Sequence, residues 1–186
     1  MALKSTVCKA QVQIADMDRN LYATHALTLA RHPSETDERM MIRLLAFALN
    51  VPADDHDGAL VFARGLADDS EPDIWQHSLD GRLRHWMEMG QPDDRRLSRA
   101  CSRADRVTLY GYASSTAVWW AGIQNKLTRL KNLTIWQIPA AQSQELATLS
   151  DRSMQLQVTV QDGGVWVGNA ERSVEINPLV LKAPAK

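Results

Sequence analysis

Two carboxylates, Asp73 and Glu88, stand at equal distances from Asp80-Gly81 in the segment EPDIWQHSLDGRLRHWMEMGQPDD. An Asp-Gly pair between apolar and aromatic runs is a strong signal for a β-hairpin, because both residues tolerate positive φ. A two-residue loop pairs Trp75 with Trp86 and sets Asp73 directly opposite Glu88. Like charges facing each other destabilise a sheet unless a cation lies between them or one carboxyl holds a proton.

One chemistry that this pair predicts is the binding of a hard divalent cation. Mg²⁺ or Mn²⁺ takes one or two carboxylates and completes its octahedron with water. Two alternatives stay open: the register differs, or Arg82, Arg84 or another basic group neutralises the pair. The hairpin alone does not choose among them.

A third carboxylate, Glu38, stands on the apolar face of a predicted helix. It precedes Met41 by three residues and Leu45 by seven, so all three share one face. A carboxylate on such a face is costly unless it has a partner. The alternative is a first-turn glutamate that interacts with the helix dipole and reaches water.

The order of these residues resembles that of the PD-(D/E)XK nuclease superfamily: a helical Glu38, then Pro72-Asp73, then Glu88 on the next strand, then a helix and a strand. More closely, the chain is similar to the YaeQ family, through ARHPSETDERMMIRLLAFAL, EPDIW and WMEMGQPDD, and along nearly its whole length. The resemblance implies a nuclease-like core in which Asp73 and Glu88 bind Mg²⁺ or Mn²⁺, with Glu38 and Gln91 placing the attacking water.

The superfamily also carries a lysine two residues past this glutamate, and here that position is Gly90, followed by Gln91. An amide can hold water, but it cannot lend positive charge to a developing oxyanion. Lys126, on a later helix, is the candidate replacement. Two functions therefore stay open: a Mg²⁺-dependent phosphodiesterase acting on nucleic acid, and a non-catalytic module that binds a protein or nucleic-acid partner.

Arginines cluster on and just past the helix that is expected to begin at Pro92: Arg95, Arg96, Arg99, Arg103 and Arg106. A basic helix close to the carboxylate pair could bind phosphates. The alternative is a solvated face that balances Asp93, Asp94 and Asp105.

The elements that must position these residues begin with two strands and a helix. The stretch from Cys8 to Ile14 alternates apolar with polar residues, and residues 21–30 form a second strand, which together predict an N-terminal β-hairpin. A helix follows, with Ser34 as its N-cap and Asp37 as the capping-box partner.

Farther on, residues 107–113, 115–130 and 133–138 predict a strand, a helix and a parallel strand. A short helix over 140–149 and strands at 154–160 and 165–167 follow, and the tail from Asn177 is expected to be loose. The prediction is an α/β (mixed α+β) protein with a central mixed sheet flanked by helices, in one domain over residues 1–186.

Composition limits the classes of partner. The chain has 186 residues, 45% of them hydrophobic and 23% charged, with a net charge of −1, so the molecule as a whole does not attract anionic nucleic acid or membrane. The two cysteines, Cys8 and Cys101, fit neither a disulfide framework nor a metal pair. Without a signal-like segment or a run of about 20 apolar residues, a cytoplasmic monomer is expected.

Overall fold

The computed structural model describes residues 4–185, which form two compact units. The first unit contains residues 4–53 and Pro139–Pro178, and the second contains Asp54–Ile138 and the chain from Leu179 onward. Each unit has its own sheet. The expectation of one central sheet is therefore wrong, whereas the mixed α/β class is confirmed. That residues 1–186 act as one domain stays a prediction.

In chain order the strands are β1 (Thr6–Asp16), β2 (Leu21–Arg31), β3 (Leu60–Phe62), β4 (Ile74–His77), β5 (Leu83–Met89), β6 (Arg106–Gly111), β7 (Leu133–Gln137), β8 (Ser153–Gln161), β9 (Gly164–Gly168), β10 (Ser173–Ile176) and β11 (Leu179–Lys182). The helices are α1 (Asp37–Asn50), α2 (Asp94–Arg103), α3 (Thr116–Ile123) and α4 (Ala140–Ala147). None of these helices is long and apolar enough to cross a membrane.

The sheet of the first unit has the order β10-β9-β8-β1-β2. The predicted N-terminal hairpin is confirmed: β1 and β2 pair antiparallel along all eleven residues of each strand. Every second residue of β1, including Cys8, Val12 and Ile14, is buried, as the alternation predicts. On its other side β1 pairs parallel with β8.

The start of α1 differs from the prediction. Thr36, not Ser34, is the N-cap, and its hydroxyl accepts a hydrogen bond from the Arg39 N–H at 3.1 Å. Ser34 instead bonds His32 within the preceding loop, and Asp37 pairs with Arg31. Both hydroxyls are good caps, and the chain turns into the helix two residues later than the sequence suggested.

The sheet of the second unit has the order β11-β7-β6-β5-β4-β3, with β5, β6 and β7 parallel. The predicted parallel pair is therefore confirmed, although α3 ends at Ile123 and continues only as a 3₁₀ turn, Gln124–Lys126. Side chains of α2 and of the region after α3 pack on these strands in one core that includes Leu97, Leu127 and Ile135. The expectation of a loose tail is wrong, because β11 pairs with β7.

Candidate functional site

The β4–β5 hairpin places the two predicted carboxylates at the edge of the parallel strands. Trp75 pairs with Trp86, as predicted, and Ile74 pairs with Met87. The alternation of large apolar residues sets this register, because a slip by one position would move all of them to the other face.

The turn of the hairpin is longer than predicted. Ser78 donates its N–H to the Arg82 carbonyl at 2.9 Å, which leaves a three-residue loop of Leu79, Asp80 and Gly81, with Gly81 at φ 86°. His77 then pairs with Leu83 and Gln76 with His85, so one extra residue bulges from β5. The bulge returns the strands to the register that a two-residue loop would have given.

Asp73 lies just before β4 and is 4% exposed. Its backbone N–H donates to the Met87 carbonyl at 3.1 Å, and its Oδ2 accepts from the Met89 N–H at 2.9 Å. Its Oδ1 faces Gly65, and a Cβ atom added to Gly65 would lie 2.6 Å from this oxygen. Asp73 is thus bound to the backbone of the neighbouring strand, where its charge still reaches Glu88.

Glu88 is held by an arginine. Its side chain is 5% exposed, and Arg96 Nε, from α2, donates to Oε1 at 2.7 Å and to Oε2 at 2.9 Å. The Trp86 indole N–H also donates to Oε1, at 2.7 Å. Of the open alternatives, neutralisation by a basic group is the one in place, and the group is neither Arg82 nor Arg84.

Each of the three guanidinium nitrogens of Arg96 donates a hydrogen bond. Besides its contact with Glu88, it donates from Nη1 to the Asp69 carbonyl at 2.7 Å and from Nη2 to the Glu71 carbonyl at 3.0 Å. Its backbone N–H is capped by the Asp93 carboxylate at 2.7 Å. One side chain therefore connects α2, β5 and the loop before β4.

Burial raises the pKa of Glu88, and the charge of Asp73 raises it further, while Arg96 and the Trp86 indole act in the opposite direction. The carboxylate loses most of its hydration here, which disfavours its charged form. Arg96 supplies the compensating charge and hydrogen bonds that a buried carboxylate needs.

The residues at this point do not form a ready metal site. Both Glu88 oxygens accept from Arg96, and Asp73 Oδ2 accepts from backbone. Throughout residues 4–185, no three side chains of His, Cys, Asp or Glu lie together in a way that could hold a metal ion. Binding of Mg²⁺ or Mn²⁺ by Asp73 and Glu88 stays a prediction, one that requires Arg96 to leave.

The remaining predicted site residues have local partners. Glu38, half-buried in the first unit, accepts a 2.6 Å hydrogen bond from the Ser143 hydroxyl of α4. Gln91 is exposed and donates from Nε2 to Ser115 Oγ at 2.7 Å. Lys126 forms a 3.7 Å ion pair with Asp94. None of these contacts involves Asp73 or Glu88, and the roles predicted for Glu38 and Gln91 stay predictions.

Gly90, the position at which the resemblance to the nuclease superfamily implied a lysine, has φ 111°. Its N–H donates to the Tyr110 carbonyl at 2.9 Å, so the conformation is fixed at the end of the strand. L-residues rarely adopt this backbone region, so a lysine here would strain the chain.

Sequence reasoning missed a buried histidine and a buried ion pair. His85 is 1% exposed; its Nδ1 lies 2.9 Å from Arg106 Nη2 and its Nε2 lies 2.8 Å from Thr108 Oγ1. Burial lowers the pKa of His85 to about 3, and the charge of Arg106 acts in the same direction. In the first unit, Glu35 accepts from Arg43 at 2.7 Å, with both side chains buried. The spacing of Glu35, Arg39 and Arg43 by four residues was the available signal.

Comparison with known proteins gives consistent results. A family model described as "YaeQ protein" matches residues 1–178. The proteins named "Uncharacterized protein YaeQ" from Salmonella typhi and Escherichia coli (strain K12) are 42% and 41% identical over 186 residues, 100% of each chain.

Two crystal structures have the same fold. The YaeQ protein from Xanthomonas axonopodis pv. citri superposes with a TM-score of 0.90 at 44% identity, covering 97% of this chain and 99% of its own. The YaeQ protein from Pseudomonas syringae gives 0.89 at 37% identity, covering 96% and 97%. The likeness extends over both units.

Proposed function

The chain belongs to the YaeQ family, and we propose that it is a non-catalytic binding module built around a nuclease-like pair of carboxylates. The observation that carries the proposal is the contact of Arg96 with both oxygens of Glu88. A metal-dependent nuclease of the PD-(D/E)XK type would hold its cation there. A guanidinium neutralises the carboxylate, but it has no open coordination position and does not generate a hydroxide nucleophile.

Other contacts support the same proposal. Gly90, with its positive φ, leaves the lysine position without a cation, and Lys126 pairs with Asp94 instead. The Gln91 amide is bound to Ser115 rather than turned toward Glu88. The groups that would activate water or stabilise an oxyanion are each committed elsewhere.

A second candidate is the Mg²⁺-dependent phosphodiesterase. The observation in its favour is that Asp73 and Glu88 are both buried and that the charge of Asp73 raises the pKa of Glu88. This function needs a state in which Arg96 leaves Glu88, because only then does the pair offer oxygens to a metal.

Manganese calorimetry on the wild-type protein and Glu88→Gln separates the two functions. A binding module gives the same small heat for both proteins. Incubation of both with labelled single- and double-stranded DNA and RNA in Mg²⁺ or Mn²⁺ should then leave every substrate intact. Metal binding or cleavage that is present in the wild type and absent from Glu88→Gln would overturn the proposal, and cleavage shared by both marks a contaminant.

A further inference from the structure

Beside the Arg96–Glu88 pair, the second unit has a cleft of about 180 Å³. One wall is α2, which contributes Arg96, Arg99 and Arg103, and the opposite wall is the loop at Asp69 and Ser70. Pockets for whole cofactors start near 300 Å³, so this cleft suits a phosphate-sized group or one end of a larger ligand.

The three arginines differ in how far they are engaged. The guanidinium of Arg96 donates hydrogen bonds to Glu88 and to two backbone carbonyls. Arg99 is exposed, and within residues 4–185 its guanidinium has no hydrogen bond or ion pair. Arg103 makes one long contact, 3.4 Å from Nη1 to the Ser70 carbonyl. Two guanidinium groups are thus available at the cleft.

Arg103 is also oriented in advance. Its Cζ lies 5.2 Å from the centre of the Trp86 ring, a cation–π arrangement that restricts the side chain. The same indole donates to Glu88, whose partner Arg96 positions the helix that carries Arg99. A guanidinium held in place loses less entropy when it binds an anion through paired N–H groups.

From these observations we infer that the cleft binds a phosphate group through Arg99 and Arg103, a proposal that rests on the binding-module function and names its ligand. The charge of Arg96 is offset by Glu88, so the cleft's attraction comes from Arg99 and Arg103, reduced by Asp69. With a whole-chain net charge of −1, the attraction is local. Three sources carry this group: the free anion, a nucleotide and a nucleic acid strand.

The test is calorimetry in EDTA at low and moderate salt with three probes: inorganic phosphate, adenosine monophosphate and a single-stranded oligonucleotide. Binding of inorganic phosphate alone would assign the cleft to the free anion, and tighter binding of a nucleotide or an oligonucleotide would assign it to that source. Affinity should fall as salt rises. No binding by any probe would overturn the proposal.

Variants then locate the binding. Arg99→Gln should weaken it about tenfold or more, because each charge-assisted bond to an anion contributes that much. Asp69→Asn should strengthen it, since it removes a like charge. Arg95→Gln, the same change at an exposed position of α2 outside the cleft, is the matched control. Equal loss in Arg95→Gln and Arg99→Gln would refute a site at this cleft.

The two proposals fail in different ways. Absence of phosphate binding in EDTA would overturn the proposed phosphate site and would leave the binding-module function in place. Metal-dependent cleavage that Glu88→Gln abolishes removes the binding-module function, whatever the calorimetry shows for Arg99→Gln.

Discussion

Replacing Arg96 with methionine removes the cation that neutralises Glu88 while keeping a long, unbranched side chain at this position of α2. Breaking a buried ion pair by removing one partner costs about 3–5 kcal/mol, because the other charge is left uncompensated. Arg96 is 24% exposed and Glu88 5%, so water screens part of the loss and we expect about 3 kcal/mol at pH 7. For a chain of this size that lowers the melting temperature by roughly 6–12 °C.

The pH dependence identifies the cause. Without Arg96, the pKa of Glu88 rises above its already raised value, because only the Trp86 indole then opposes burial. A carboxyl whose folded pKa is raised favours the folded state at low pH, and that contribution is lost as pH rises through the folded pKa. The gap in melting temperature between the wild type and Arg96→Met should therefore narrow as pH falls from 7 toward 5.

Thermal unfolding of four proteins decides the matter: wild type, Arg96→Met, Arg95→Met and the double variant Arg96→Met/Glu88→Gln. Arg95 is exposed on the same helix, so Arg95→Met should change stability by less than about 0.5 kcal/mol. The double variant should be more stable than Arg96→Met, since it leaves no uncompensated charge at position 88. If Arg96→Met unfolds like Arg95→Met, or if adding Glu88→Gln recovers nothing, Arg96 does not neutralise Glu88.

Three further predictions concern other positions. The pKa of His85 is lowered to about 3, so nitrogen NMR should show a neutral ring with the proton on Nε2 from pH 8 to pH 4. In the unfolded chain the pKa of this histidine is near 6.5. Its contribution to the stability of the fold should therefore fall as the pH drops from 6.5 toward 3. Gly90→Lys should lose about 1–2 kcal/mol in denaturant unfolding and gain no nuclease activity, and Mg²⁺-dependent cleavage would contradict this. Thr36→Ala should lose about 1 kcal/mol and Ser34→Ala much less; equal losses would argue against Thr36 as the cap.

The register of the β4–β5 hairpin could be predicted because it depends on local alternation. Trp75 and Trp86 share a face, and any slip would expose them. The loop could not be predicted, because Gly81 at positive φ suits a three-residue turn as well as a two-residue one, and a bulge absorbs the difference. The sequence therefore predicted the pairing of Trp75 with Trp86 correctly and the length of the loop between the strands wrongly.

The partner of Glu88 was beyond the sequence for another reason. Arg96 lies eight residues away, and only the packing of α2 on the sheet brings its guanidinium to Glu88. Helical spacing groups Arg96 with Arg99 and Arg103, and nothing in the spacing tells the arginine that pairs with a carboxylate from those that do not. Helix periodicity assigns a face, but the tertiary contact decides which residue on that face is neutralised.

The pairing of β11 with β7 has a consequence for synthesis on the ribosome. The second sheet gains its last strand only when residues 179–182 have left the exit tunnel, although its other strands were made by Gln137. The first sheet also cannot form completely until β8 has been synthesised, since Gln13 on β1 pairs with Gln157 on β8, 144 positions later. Neither unit can complete its sheet during early translation, and such long-range pairings slow folding. Nascent chains stalled before β8 should therefore leave an edge of β1 open to chaperones.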